Sequence, residues 1–286
     1  MEQRLRIAAI TDEFSPDLDT ATQAMAAIGM TGAEIRMVNG KNIMALTDEE
    51  VDGVRRLCAS RGLEIISVAS PLLKCVLPGA PQVDERFQQD MFAAQYGFDD
   101  QPRLAERAFA IAGRLGARII RVFSYWRSVE PEKCFPAIVE ALGALAEKAA
   151  GRGLIIGLEN EHACNISTAS ESLRVLNAVT HPNLELVWDP ANCLISGEDP
   201  FPGGYQLLPK ARIGHVHVKD CYAAGHKPWW GPVGTVGIDW RGQIHALVED
   251  GYRGWLSLET HWPGPNGDKH LGSVICGWNM KSLATY

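Results

Sequence analysis

An eight-stranded parallel α/β barrel is the fold this chain predicts, and three features of the sequence point to it. Short β-branched apolar runs alternate with amphipathic stretches, as strands alternate with helices in a parallel sheet. Four of the runs end in a residue able to ligate a metal, and the intervals between those residues, 30, 28 and 42, match the stride of a strand–helix unit. The length of 286 residues is close to the roughly 250 of a single barrel domain. One domain over residues 1–286 is therefore expected, a (β/α)8 TIM barrel. No GxGxxG follows the first run, which weakens an open dinucleotide-binding sheet.

In chain order, the expected strands are residues 5–10 (LRIAAI), 32–36 (GAEIR), 63–69 (LEIISVA), 117–123 (ARIIRVF), 154–159 (LIIGLE), 184–189 (LELVWD), 213–217 (IGHVH) and 255–259 (WLSLE). They read as buried parallel strands because their apolar residues run nearly unbroken. Amphipathic periodicity predicts helices over 18–28, 48–60, 102–115, 132–152, 170–179 and 240–249. Thr47 ahead of three acidic residues suits a helix start, while Gly62, Gly116 and Gly153 fall where left-handed helix caps belong. Two connections exceed the usual 2 to about 6 residues: 70–101, with a possible helix over 84–96, and 221–239, with Trp229 and Trp230. Each leaves a strand end, on the rim where barrels carry their chemistry, so each is a candidate lid or substrate wall. The tryptophans serve equally well as packing for an irregular loop.

Composition narrows the function. With 46% hydrophobic and 21% charged residues the chain can bury a large core. A net charge of −7 disfavours a phosphate-backbone partner, whose binding relies on Lys and Arg, so no nucleic acid is expected. Seven scattered cysteines without a CxxC suggest reduced thiols. No run approaches the ~20 apolar residues of a membrane span. A cytoplasmic protein free of the membrane is the resulting expectation.

Glu159, Asp189, His217 and Glu259 end the last four strands. One strand-terminal carboxylate is more often a salt-bridge or capping residue, but three with an imidazole at one barrel mouth would repel unless a cation lay between them. A divalent ion is expected, Mn2+ first and Mg2+, Co2+ or Zn2+ as alternatives, since the donors are mainly oxygen and no thiolate is involved. Strands five and eight lie on opposite sides of the ring. Glu159 and Glu259 are therefore the candidate acid–base pair, moving a proton next to a carbonyl through an enediolate. Arg36, Trp126, Asn192, Lys219, Trp230 and His261 are candidate substrate contacts on the same rim. His215 faces the same side as His217, one layer deeper. Lys219 and Asp220 either meet substrate or pair with each other, and Arg121 is either an interior charge paired with a group such as Glu159 or a surface residue. His162 and His270 are loop candidates near the mouth, while His181 and His245 read as structural. The glycines of 231–237 suit a backbone cradle for an anion but lack a GKS or GKT ending.

The segments LEN at Glu159, WDPAN at Asp189, HVHVKD at His217, GYRGWLSLETHW at Glu259 and RVFSYW after strand four resemble the xylose-isomerase-like barrel family of sugar phosphate isomerases and epimerases. TDEFSPD, EIR and SPLLK fall in the expected order. The resemblance spans nearly the whole chain. It implies that Glu159, Asp189, His217 and Glu259 bind a divalent metal, with Glu159 and Glu259 as the acid–base pair of the epimerase branch. Many relatives carry DxxH where this chain has Asn192 in DPAN, and Asn cannot shuttle a proton although it can hydrogen-bond a hydroxyl. HVKD likewise replaces the HxGE of ketose epimerases.

The leading expectation is a metal-dependent isomerase or epimerase acting on a small sugar or keto-sugar. A lyase is the nearest rival, because the same enediolate eliminates when a leaving group lies β to the carbonyl; inosose-type dehydration and 3-keto-glycoside or C-glycoside cleavage are of this kind. An endonuclease IV-like nuclease would need more ligands and a basic face, and a non-catalytic sugar binder would have no use for four ligands. Pairing of copies through rim loops, a homo-oligomer, is an expectation from fold analogy.

Overall fold

The computed structural model describes residues 5–87 and 96–285. Eight parallel strands close into one barrel: β1 (Arg6–Ile10), β2 (Gly32–Ile35), β3 (Glu64–Leu72), β4 (Ile119–Val122), β5 (Ile155–Glu159), β6 (Leu184–Trp188), β7 (Ile213–Val218) and β8 (Trp255–Leu258). Each strand pairs in parallel with its sequence neighbours, and β8 closes on β1. Around them run α1 (Leu18–Ile28), α2 (Asp48–Ser60), α3 (Gln101–Leu115), α4 (Phe135–Ala150), α5 (Ala169–Ala178), α6 (Pro190–Ile195), α7 (Trp240–Glu249) and α8 (Lys269–Ala284). The expected strands fall where the apolar runs put them. Helices α6 and α8 are additions to the sequence reading: α6 is short, and the periodicity of α8 is broken by glycines at 272 and 277 packed against Gly264 and Ile28.

Local chemistry explains the helix ends. Thr47 and Thr168 each make a reciprocal capping box with the glutamate three residues on. Gly29 and Gly116 end α1 and α3 in left-handed conformation, which only glycine adopts at no steric cost. The long loop after β7 contains an antiparallel hairpin, Asp220–Ala224 with Lys227–Gly231. The helix expected over 84–96 lies mostly outside the described residues, which show a single turn at Glu85–Phe87.

Strand register sorts the barrel interior into layers, because alternate residues point inward. At the base, Trp255 packs on Ala8 and Ile66 under the guanidinium of Arg6, 4.2 Å from its ring. A Cβ on Gly32 would lie 2.7 Å from the Trp255 ring, so this position has room only for glycine. Gly157, between Val187 and Ile119, is constrained in the same way. Two residues further along each strand come Glu34, Arg121, Glu159, Val187, His217 and Ser257, and beyond them Arg36, Asp189, Lys219 and Glu259. The floor is apolar and the upper layers are charged. A cavity of about 640 Å3 opens at the opposite rim among Arg6, Glu64, Glu185, Lys210 and Trp255. It lies on the face of the barrel that serves stability, so ligand convergence rather than cavity size locates the site.

Candidate active site

Glu159, Asp189, His217 and Glu259 come together within 4.8 Å, all buried. The Nδ1 atom of His217 lies 3.1 Å from Glu159, 3.4 Å from Glu259 and 4.0 Å from Asp189. Its other nitrogen faces Glu34 at 3.3 Å, and the same Glu34 oxygen holds His215 at 2.7 Å. A carboxylate on Nε2 orients the ring and leaves Nδ1 for the three acids, the arrangement that prepares a histidine for a metal. Asp189 divides its two oxygens: one caps α6 through the Asn192 amide at 2.9 Å, and the other turns to the cluster. Three carboxylates and one imidazole, with no thiol among them, fit a hard or borderline divalent ion.

Each outer acid is tied to a buried cation. Arg121 donates to Glu159 at 2.8 Å, and it is interior, which decides between its two sequence readings. Arg36 reaches Glu259 at 3.1 Å while gripping Asp12 and Glu13. Lys219 bridges Asp189 at 2.8 Å and Glu259 at 2.9 Å. From these groups alone, burial pushes Glu159 up, but His217 and Arg121 outweigh it and its carboxyl settles at about 2. Glu259 is likewise raised by burial and then carried well below the usual range by Lys219 and His217. Burial lifts Asp189 to about 7 despite Lys219. Lys219 stays charged, because Asp189 and Glu259 overcome its burial.

The substrate contacts expected from sequence separate into two groups. Arg36 and Lys219 are 2% and 1% exposed and fully engaged with acids, so they position ligands instead of meeting substrate directly. Trp126, Trp230 and His261 are half-buried on the rim, with Trp230 stacked on His261 at 4.6 Å. Burial and the nearby Lys219 hold His261 down to about 3, hence neutral. Asn192 is buried and links Glu159 (3.4 Å) and Glu161 (3.2 Å) to His162, whose Nδ1 lies 2.8 Å from its side-chain oxygen. Glu161, 3.3 Å from His162, escaped the sequence reading because a loop acid carries no motif, and Glu34 entered it only as part of EIR, with no role given. His270 instead contacts the Phe14 carbonyl.

The glycine-rich cradle does hold an anion, though an internal one. Asp220 accepts from the amides of Gly234, Thr235 and Val236 on one oxygen (2.8, 3.1 and 3.2 Å) and from Gly237 and Ile238 on the other (3.0 and 2.9 Å). It does not pair with Lys219. The cradle is therefore filled by the chain's own carboxylate, which corrects the expectation of a site for a separate anion at these glycines.

The sequence pattern of the xylose isomerase-like TIM barrel family matches residues 22–274. The chain belongs to that family. A 3-dehydroshikimate dehydratase of Pseudomonas aeruginosa is 29% identical over 258 residues, covering 87% of this chain and 37% of that protein. An inosose dehydratase of Erwinia tasmaniensis is 31% identical over 139 residues, 43% of this chain and 46% of its own length. This xylose isomerase-like barrel thus spans less than half of either curated relative. Among solved structures, the IOLI protein, described with a bound zinc atom, superposes with a TM-score of 0.71 at 16% identity, covering 98% of this chain and 97% of that one. That likeness shows the fold. No helix among the described residues is long and apolar enough to cross a membrane.

Proposed function

We propose that this barrel is a divalent-metal-dependent lyase that removes water from a small hydroxylated ketone. The observation that carries the reading is the locking of Glu159 by Arg121 and of Glu259 by Arg36 and Lys219. A carboxylate held ionised by a buried cation makes a good ligand and a weak base, because general-base strength follows pKa. Epimerisation needs a proton carrier on each face of one carbon, whereas elimination needs only one. His162, oriented by Asn192 and Glu161, is the unlocked carrier.

In this scheme His162 takes the proton next to the carbonyl. The electron pair forms the new C=C bond as the β C–O bond breaks, and the imidazolium returns its proton to the departing hydroxyl as water. Lys219, charged and fixed between Asp189 and Glu259, holds those two acids in place beside the reacting carbons. A divalent ion bound by Glu159, Asp189, His217 and Glu259 would supply Lewis-acid polarisation of that carbonyl. Both curated relatives are named as dehydratases, which supports loss of water over inversion.

The second reading is the isomerase or epimerase expected from sequence, favoured by Glu159 and Glu259 entering the cluster from β5 and β8, with β6 and β7 between them. It requires one of them to leave its guanidinium. Proton NMR of cyclic and open-chain hydroxyketones with the Mg2+-loaded protein in D2O separates the two. A conjugated enone and loss of the β-hydroxyl are expected. Deuterium incorporation with a new stereoisomer and no loss of water would overturn the lyase reading. His162→Ala should lower kcat by about a hundredfold or more while metal affinity is kept; an unchanged rate would remove His162 from the scheme.

A further inference from the structure

We infer that the substrate of this site is uncharged, a neutral polyhydroxylated ketone and not one bearing a carboxylate or phosphate. The inference deepens the lyase reading and rests on its placing of the substrate at this mouth, but it depends on the charge balance there and not on which bond breaks.

The carboxylates crowding the mouth are Asp12, Glu13, Glu34, Glu159, Glu161, Asp189 and Glu259. The side-chain cations facing them are Arg36, Lys74, Arg121, Lys219 and Lys269. With every carboxyl ionised, as ligation of a metal requires of Asp189, seven negative charges against five positive ones leave a deficit that one divalent ion would cancel, so the loaded site is close to neutral without any help from substrate. Four of the five cations are already paired with an acid, and the fifth, Lys74, lies over aromatic rings. Arg36 serves three acids, Arg121 holds Glu159 and lies 4.3 Å over Phe123, and Lys219 bridges two acids. Lys269 is 3.4 Å from Glu13. Lys74 sits 4.6 Å over Phe123 and 5.3 Å from Trp126, and its field lowers Glu161. Next along the rim, Arg127 is tied to Glu171 at 3.1 Å. Residues 88–95, outside the described set, contain no Lys or Arg.

An anionic substrate would have to draw Arg36, Arg121, Lys219 or Lys269 from a buried acid, leaving that acid unpaired, or draw Lys74 off the Phe123 ring and away from Glu161, or enter with its own charge unpaired. Either is costly in a dry site. The remaining walls suit a neutral ring. The stacked Trp230 and His261, together with Trp126, offer flat faces for C–H groups, while Asn192 and the His162 ring offer hydrogen bonds to hydroxyls.

Calorimetric titration of the Mg2+-loaded protein with an inosose, which is uncharged, and with 3-dehydroshikimate, which carries a carboxylate, tests the inference. The inosose should bind at least tenfold more tightly, and Glu161→Gln, which removes one negative charge from the wall, should narrow that ratio severalfold by strengthening the acid's binding. Equal or tighter binding of the carboxylate, or no detectable binding of the inosose, would overturn the inference. The same samples followed by NMR report on chemistry separately: tight binding of the inosose without loss of water defeats the lyase reading and leaves the charge inference standing, while turnover of the carboxylate at the higher affinity does the reverse.

Discussion

At the scale of single residues, the site is decided by what each polar atom faces. Glu34 joins two imidazoles 181 and 183 residues away in sequence, and its acidity follows from the contact: burial raises it, but His215 and His217 carry it well below 4.5. Glu34→Gln should leave the barrel folded yet weaken binding of Mn2+ or Zn2+ by about 10- to 100-fold, the effect of losing an outer partner of a ligand histidine; metal affinity unchanged in titration calorimetry would show that His217 needs no such support. The cysteines give a second residue-level outcome. All seven are buried and free, and burial raises Cys58 and Cys221 to about 12 and Cys75 to about 11 from an ordinary 9.0. Only the thiolate reacts. A disulfide reagent at pH 8 should therefore label no thiol quickly in the native protein and all seven after unfolding. Because the folded chain keeps these protons longer, their contribution to stability is complete below about pH 9 and declines as pH rises towards 12; rapid native labelling would contradict the burial.

The elements carry site residues by how they end. Strand β6 stops at Asp189, which is also the cap of α6, so one side chain fixes the strand-to-helix turn and aims an oxygen at the cluster. After β7, Asp220 plays the corresponding part for the loop that returns to α7, gathering five amides. With that loop closed, Cys221 and Trp240 pack at its base, and the Trp240 indole donates to the Lys219 carbonyl at 3.0 Å. Asp220→Asn keeps the shape but turns one acceptor into a donor facing amides, and should cost about 3 kcal/mol of unfolding free energy in urea. Faster hydrogen exchange confined to residues 234–238 would accompany it. A loss below about 0.5 kcal/mol would mean the cradle is not a clasp. The sequence showed the glycines of this loop and suggested an anion; it gave no hint that the anion was 14 to 18 residues back in the same chain, because a backbone cradle has no preference for the source of its guest.

For the molecule as a whole, the barrel gathers acids at one mouth faster than it supplies cations, and a divalent ion held by Glu159, Asp189, His217 and Glu259 would complete the balance. Chelation should lower the melting temperature: an ion at 100 times its dissociation constant contributes about 2.7 kcal/mol, or roughly 5 °C or more for a domain of this size. A melting curve indifferent to chelator and to added Mg2+, Mn2+ or Zn2+ would sink the metal reading. What the sequence determined by itself is what repeats locally. Nearly unbroken β-branched runs define the strands, a threonine starts a helix and glycines end others, and a polar residue closing each late strand must lie on one rim once the strands are parallel. That is why Glu159, Asp189, His217 and Glu259 were legible before any contact was known. What only the tertiary structure decided is which charge meets which. Arg36 and Glu259 are 223 residues apart, Arg121 and Glu159 are 38, and Lys219 had Asp220 beside it yet bridges Asp189 and Glu259. Such pairings depend on the radius of the closed ring and on the inward layer each residue occupies, and neither quantity is written in the order of residues along the chain.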